Sequence, residues 1–274
     1  MKASVFSKPG IFLLLGCCLP TGASPAPETP EERGKRLVYE AVQALGGDAF
    51  LHMNDRVESG RAYSLYRTQI SGMSAAKIYT RYLAPVPGKV EVRERESFVL
   101  NAYGKEGNAV LLTEDGAWDI TFRGARPLDD ERYAAFKEST LRNVMYILRQ
   151  RLNEPELSFY WRGSDMFESH PVEMVDITDA ANNTVNVYFD QRSKLPVRQM
   201  YRRRNQEFHD FDTEVTIFGL YRKSSGVNWP CNIRRERNGD LIYEMFADQV
   251  EINKDLTDDL FVLPGDLKVL PKAK

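Results

Sequence analysis

The side chains best suited to chemistry in this sequence are three histidines, His52, His170 and His209. None of them stands at metal-ligand spacing from another histidine or from a cysteine. In the run His209-Asp210-Phe211-Asp212 an imidazole and a carboxylate could share an ion, although a polar turn leading into the next strand explains the run equally well. The sequence has no nucleophile elbow, Walker loop, dinucleotide fingerprint or HExxH motif. We therefore predict no catalytic residue, no metal site and no cofactor, and hence a protein that is not an enzyme.

Cys231 is the remaining candidate nucleophile. It falls on the apolar side of a predicted strand, beside Trp229 and Ile233. A thiol in apolar surroundings holds its proton and reacts slowly. The position therefore predicts an inert buried thiol.

Charged residues form two dense groups. Arg93-Glu94-Arg95-Glu96 lies within one predicted strand, and seven arginines, Arg198, Arg202 to Arg204, Arg234, Arg235 and Arg237, lie near one another in the sequence. Both groups are typical of a solvated outer sheet face, with cross-strand ion pairs in the first. The first could instead dock a partner protein or lipid head groups, and the second could form a basic rim for anionic phospholipid head groups.

Antiparallel strands are the elements that must position these residues. Thr184 to Asp190 alternates Val185, Val187 and Phe189 with polar residues, which is typical of a half-buried strand. Asn238-Gly239 predicts a type I′ hairpin turn, since both central residues of that turn need positive φ. The other predicted strands are Val57 to Arg67, Ala76 to Leu83, Lys89 to Leu100, Asn108 to Thr113, Ala117 to Arg123, Leu157 to Arg162, His170 to Thr178, Leu195 to Arg203, Asp212 to Tyr221, Val227 to Arg237 and Leu241 to Ile252.

Two main helices accompany the strands. Thr29 as N-cap, Pro30 at the first position and Glu32 at the third form a capping box that begins a helix running to about Leu45. The second predicted helix, Asp129 to Asn153, carries an apolar stripe that can be core or lid. The stripe consists of Tyr133, Phe136, Leu141, Val144, Met145, Leu148 and Leu152.

The first 26 residues read as a signal peptide, with Lys2 and Lys8 before the apolar run Ile11 to Leu15. Leu14-Leu15-Gly16-Cys17 resembles the lipobox of bacterial lipoproteins, in which the cysteine is lipidated, whereas Thr21-Gly22-Ala23 offers ordinary cleavage. Residues 27–274 are predicted to form one domain. The net charge of −2 becomes −4 once Lys2 and Lys8 are lost, so no electrostatic case for nucleic acid exists.

The end of the chain carries a recognisable pattern. Tyr221 to Pro230 turns at Gly226, Asn238-Gly239 turns into a strand ending Val250-Glu251-Ile252-Asn253, and Asp259 to Pro264 closes the pattern. This arrangement resembles the closing hairpin of the LolA/LolB-like superfamily of lipoprotein carriers and receptors in bacterial envelopes. The resemblance implies a mainly β (α+β) fold, namely a curved, incomplete antiparallel β-barrel. We expect about ten to twelve strands, with two main helices covering the concave face.

That resemblance also implies a container for lipid or lipoprotein acyl chains, in a periplasmic protein or in one tethered to an envelope membrane through Cys17. Envelope membranes and membrane proteins are then further candidate partners. The alternative is a structural or regulatory envelope module of the same fold that binds a protein partner. The residues expected to face the cavity are Leu37, Leu45, Trp118, Phe122, Phe136, Met145, Leu148, Trp161, Val187, Phe189, Trp229 and Phe246.

Overall fold

The computed structural model describes residues 27–67, 69–99, 106–205 and 208–272. The predicted signal peptide, with Cys17 and both cleavage alternatives, lies outside the described residues. No helix in the part that is described is long and apolar enough to cross a membrane.

One antiparallel sheet contains every named strand. The strands of its first half are β1 (Asp55–Tyr66), β2 (Gln69–Tyr82), β3 (Val92–Val99), β4 (Glu106–Leu112), β5 (Ala117–Thr121) and β6 (Gly124–Pro127). Those of its second half are β7 (Ser158–Phe167), β8 (His170–Thr178), β9 (Thr184–Asp190), β10 (Pro196–Arg204), β11 (Phe211–Ser224), β12 (Val227–Arg237) and β13 (Asp240–Ile252).

The sheet order is β6-β5-β4-β3-β2-β1-β13-β12-β11-β10-β9-β8-β7. Strands β6 and β7 therefore lie at the two edges, and the curved sheet stays open, which confirms the predicted incomplete barrel. The thirteenth strand is the four-residue β6, too short to show an alternating pattern in the sequence.

Local signals in the sequence produced the expected turns and caps. Asn238 and Gly239 have φ of 52° and 87° between β12 and β13, so the predicted hairpin is confirmed. Helix α1 (Pro30–Leu45) begins with the predicted capping box, in which the Glu32 amide donates to Thr29 Oγ1 and the Thr29 amide donates to Glu32 Oε2. The short helix α2 (Asp48–Leu51) follows it.

The predicted helix from Asp129 to Asn153 is not continuous. Helix α3 (Asp130–Leu141) ends before Asn143, whose extended backbone and side-chain amide oxygen cap a new start. Helix α4 (Val144–Tyr146) then continues into a π-helical turn, Ile147–Arg151. Asparagine breaks the helix because its side chain accepts the amide hydrogens of Met145 and Tyr146.

The break divides the apolar stripe between two environments. After it, Val144, Ile147 and Leu148 are buried in the main core with α1 and strands β7 to β12. Before it, helix α3 has no buried residue. Helix α1 is part of the core because Val38, Ala41 and Leu45 are fully buried and Gly34 lets the helix backbone approach β7 closely at Phe159. The concave face is thus filled under α1, and only partly covered under α3.

Candidate functional site

A cavity of about 420 Å³ lies between α3 and the concave face of the sheet. Its walls come from β1 to β3, from β10 to β13 and from helices α3 and α4. The apolar side chains among them are Ile78, Val92, Ala135, Phe136, Met145, Val215, Phe218, Trp229, Ile233, Ile242 and Met245. Apolar side chains therefore line the cavity both from the sheet and from the helices that cover it.

The floor of the cavity is ionic, contrary to the apolar volume that the resemblance implied. Arg56 Nε donates to Glu58 Oε2 at 2.9 Å and Arg56 Nη1 donates to the Tyr82 hydroxyl at 2.5 Å. The indole nitrogen of Trp229 donates to the other oxygen of Glu58 at 2.8 Å, and the Arg56 guanidinium lies 4.3 Å from the Trp229 ring centroid. These contacts compensate two charges whose side chains are only 12% and 4% exposed.

Two further carboxyl groups come from β3. Glu94 accepts a hydrogen bond from the Thr80 hydroxyl at 3.1 Å and lies 3.9 Å from Arg56 Nη2. Burial, together with the nearby charge of Glu94, raises the pKa of Glu96 to about 7. The interpretation of Arg93 to Glu96 as an outer face is therefore wrong for the two glutamates, which line the cavity. The two arginines point to the other side, where Arg93 pairs with Glu114 and Asp258.

The raised pKa of Glu96 gives stability a pH dependence of known sign. The folded protein holds this proton more tightly than the unfolded chain, whose value is near 4.5. The contribution of Glu96 to the free energy of unfolding is therefore fully present below pH 4.5 and is lost as pH rises through about 7.

Glu96→Gln is accordingly expected to raise the free energy of unfolding by about 1–2 kcal/mol at pH 8, because the amide cannot ionise. At pH 4, where the native carboxyl carries its proton, the substitution should change little. Urea unfolding followed by tryptophan fluorescence at both pH values measures the difference. An equal effect at the two pH values would contradict this account of Glu96.

The arginine-rich group predicted on one outer face is split between the two faces of the sheet. Arg203, Arg235 and Arg237 line the cavity. Arg198 and Arg202 lie on the opposite face of β10, over the rings of Tyr188 and Phe211. Adjacent residues of a strand point to opposite sides, so a run of arginines cannot share one face.

Solved structures of other proteins share the architecture described above. No model of a known protein family matches the sequence, and no curated protein matches it. Among solved structures, a DUF1329 family protein from Desulfovibrio piger superposes with a TM-score of 0.60 at 13% identity, covering 85% of this chain and 98% of that one. A putative outer membrane lipoprotein-sorting protein domain from Vibrio parahaemolyticus superposes with a TM-score of 0.57 at 9% identity, covering 84% and 97%. The fold is LolA/LolB-like.

Three of the twelve residues expected to face the cavity of this LolA/LolB-like fold do line it: Phe136, Met145 and Trp229. Six others belong to the core on the α1 side of the concave face. They are Leu37, Leu45, Leu148, Val187 and Phe189, which are buried, and Trp161, which packs at the edge. Trp161 donates its indole hydrogen to Glu173 at 2.6 Å and lies under Arg33.

The inward assignment is wrong for the remaining three. Phe122 is 87% exposed in the turn after β5. Trp118 pairs with Leu111, on the sheet face opposite the cluster formed by Leu112 and Ala117. Phe246 follows the cavity residue Met245 and therefore lies on the other face of β13, edge-on to Tyr63. Alternation along the strands was the basis of these assignments, and it separates the two faces of a strand without reporting which of them is concave.

Sequence reasoning missed several apolar cavity residues, such as Phe218 and Met245, and all of the charged ones. Arg56, Glu58, Glu94, Glu96 and Arg235 all line the cavity. A signal for Arg235 was present, since the inward alternation Trp229, Cys231 and Ile233 reaches it two residues later. The rule that charged residues face solvent overrode that alternation.

The residues first considered for catalysis stand apart from this cavity. The three histidines are exposed. Within the described ranges no group of three His, Cys, Asp or Glu side chains could hold a metal ion. Cys231 is buried as predicted, and burial raises the pKa of its thiol.

Proposed function

We propose that this chain is a non-catalytic bacterial envelope protein that binds the acyl chain of a lipid or lipoprotein in the cavity under α3. The observation that carries the proposal is a space of about 420 Å³ with apolar side chains from both sheet and helices. Ligand pockets commonly measure roughly 300–1,000 Å³. The likeness to a putative outer membrane lipoprotein-sorting domain supports the same assignment.

Helix α3 is the part of the cover that can open. It buries no residue fully, and it is attached by the partly buried side chains of Tyr133 and Phe136, which pack on the small cluster of Leu112, Ala117 and Leu128, and by polar contacts. The Tyr133 hydroxyl donates to the carbonyl oxygens of Thr113 and Glu114, and Arg132 pairs with Asp119 at 2.8 Å. Displacing α3 costs far less apolar burial than displacing α1, so an alkyl chain enters beneath α3.

Export is part of this proposal. Cleavage within residues 1–26 would release a soluble carrier, and lipidation of Cys17 would tether the protein as an acceptor. Mass spectrometry of the N-terminal peptide, from protein purified from its own envelope fraction, distinguishes a diacylated Cys17 from a free Ser24.

A chain-length series tests acyl-chain binding. Titration with 1-octanol, 1-decanol and 1-dodecanol is expected to give affinities that rise by about fourfold for each added methylene, since burying one contributes about 0.8 kcal/mol. Isothermal calorimetry and native mass spectrometry measure the affinity and the stoichiometry. Binding that is absent, or that does not change with chain length, would refute the proposal.

A second candidate function is a structural or regulatory module that binds a protein partner. The observation favouring it is the packed half of the concave face, where α1 and the segment from Val144 to Leu152 leave the sheet covered by buried side chains. Failure of every alcohol to bind in the chain-length series would favour this function.

A further inference from the structure

Five arginines line the cavity: Arg56, Arg132, Arg203, Arg235 and Arg237. Four of them are paired with carboxylates, as Arg56 with Glu58 at 2.9 Å, Arg132 with Asp119 at 2.8 Å, Arg203 with Glu138 at 3.4 Å and Arg237 with Glu214 at 2.8 Å. The side chain of Arg235 forms neither an ion pair nor a hydrogen bond with any residue that the structure describes, and it is exposed. One guanidinium in the cavity wall is thus left to bind something else.

The surroundings of Arg235 hold it in place. Its neighbours across the sheet are Thr216 on β11 and Tyr243 on β13, and its guanidinium lies 5.3 Å from the centroid of the Tyr243 ring. Ile233, two residues earlier on the same strand, and Met245 add apolar surface to the same cavity. Arg235 is therefore a positioned cation at the border of apolar surface. A guanidinium presents planar N–H donors that match the oxygens of a carboxylate or phosphate.

We propose that the ligand is an acidic amphiphile whose carboxylate or phosphate group binds Arg235 while its alkyl chain lies against Phe136 and Met145. This inference rests on the proposed function and adds the chemistry of the head group. The carboxylates whose charges act on Arg235 are those of Glu96 and Glu94. Glu94 accepts a hydrogen bond from Thr80 and lies 3.9 Å from Arg56, and the raised pKa of Glu96, about 7, favours its uncharged form at pH 6.

Four probes with the same ten-carbon chain test this at pH 6 by calorimetry: decanoate, decyl phosphate, 1-decanol and decyltrimethylammonium. At least one of the two anions is expected to bind about tenfold tighter than 1-decanol, and the cation no tighter than 1-decanol. The stronger anion identifies the head group as a carboxylate or a phosphate. In Arg235→Met the anion preference should disappear while the affinity for 1-decanol stays within about twofold.

Arg234→Met is the matched control, because Arg234 lies on the opposite face of β12 and pairs with Glu168. It should keep the tenfold preference, and circular dichroism should show both variants folded. Equal binding of anions and 1-decanol to the native protein, or a preference that survives in Arg235→Met, would overturn the head-group inference and leave the proposed function standing. If neither the anions nor 1-decanol bind, both fail.

Discussion

Ala135→Trp is expected to lower the affinity for 1-decanol by at least tenfold. Ala135 lies on α3 and lines the cavity, so an indole at this position occupies space that the alkyl chain would fill. Helix α3 has no buried residue, so the larger side chain can be accommodated without disturbing a packed core. The free energy of unfolding should change by less than about 1 kcal/mol. Titration and urea unfolding of the same preparation measure both quantities.

Ala134→Trp provides the control for that substitution. Ala134 is the preceding residue of α3 and is exposed, outside the cavity. It introduces the same indole into the same helix without filling the space, and it should bind 1-decanol as the native protein does. If Ala135→Trp retains native affinity, alkyl chains do not bind in this cavity.

Arg56→Met is expected to destabilise the protein by about 3–5 kcal/mol, the usual cost of leaving a buried charge without its partner. Arg56 is 12% exposed, pairs with Glu58 and lies over Trp229. Methionine keeps much of the apolar contact with the indole, so most of the loss comes from the uncompensated carboxylates of Glu58 and Glu94. Urea unfolding followed by tryptophan fluorescence measures the change.

Two further variants distinguish the loss of charge pairing from the loss of packing as the cause of the destabilisation in Arg56→Met. Adding Glu58→Gln to Arg56→Met should recover more than half of the loss, because the amide oxygen can still accept the Trp229 indole hydrogen without carrying a charge. Arg61→Met, on the same strand, removes an exposed arginine 3.9 Å from Asp248 and should cost less than about 0.5 kcal/mol. A similar cost for Arg56→Met and Arg61→Met would show that the ionic floor contributes little to stability.

Features governed by neighbours in the sequence were predictable. Thr29, Pro30 and Glu32 specify the start of α1, and Asn238-Gly239 specifies the hairpin between β12 and β13, because each depends on contacts within a few residues. The buried face of β9, with Val185, Val187 and Phe189, follows from alternation alone. These local signals, together with the closing pattern of the chain, were sufficient for the open antiparallel sheet.

The division of the concave face was not predictable in the same way. Helical spacing assigned Phe136 and Leu148 to one stripe, but the cap at Asn143 separates them, so that Leu148 enters the core and Phe136 lines the cavity. Helical periodicity shows that one face of a helix is apolar, but it does not show whether that face packs in the core or lines a cavity.

The sequence by itself determined the strands, the turns and caps between them, and the lack of a recognisable catalytic motif. Only the tertiary structure decided what the concave face contains. Glu96 on β3 and Arg235 on β12 are separated in the sheet by β2, β1 and β13, yet both line one cavity because the sheet is curved. The curvature of the sheet is the sum of small twists between many neighbouring strands. No single segment of the sequence therefore shows that two charged residues far apart in the chain will line the same cavity.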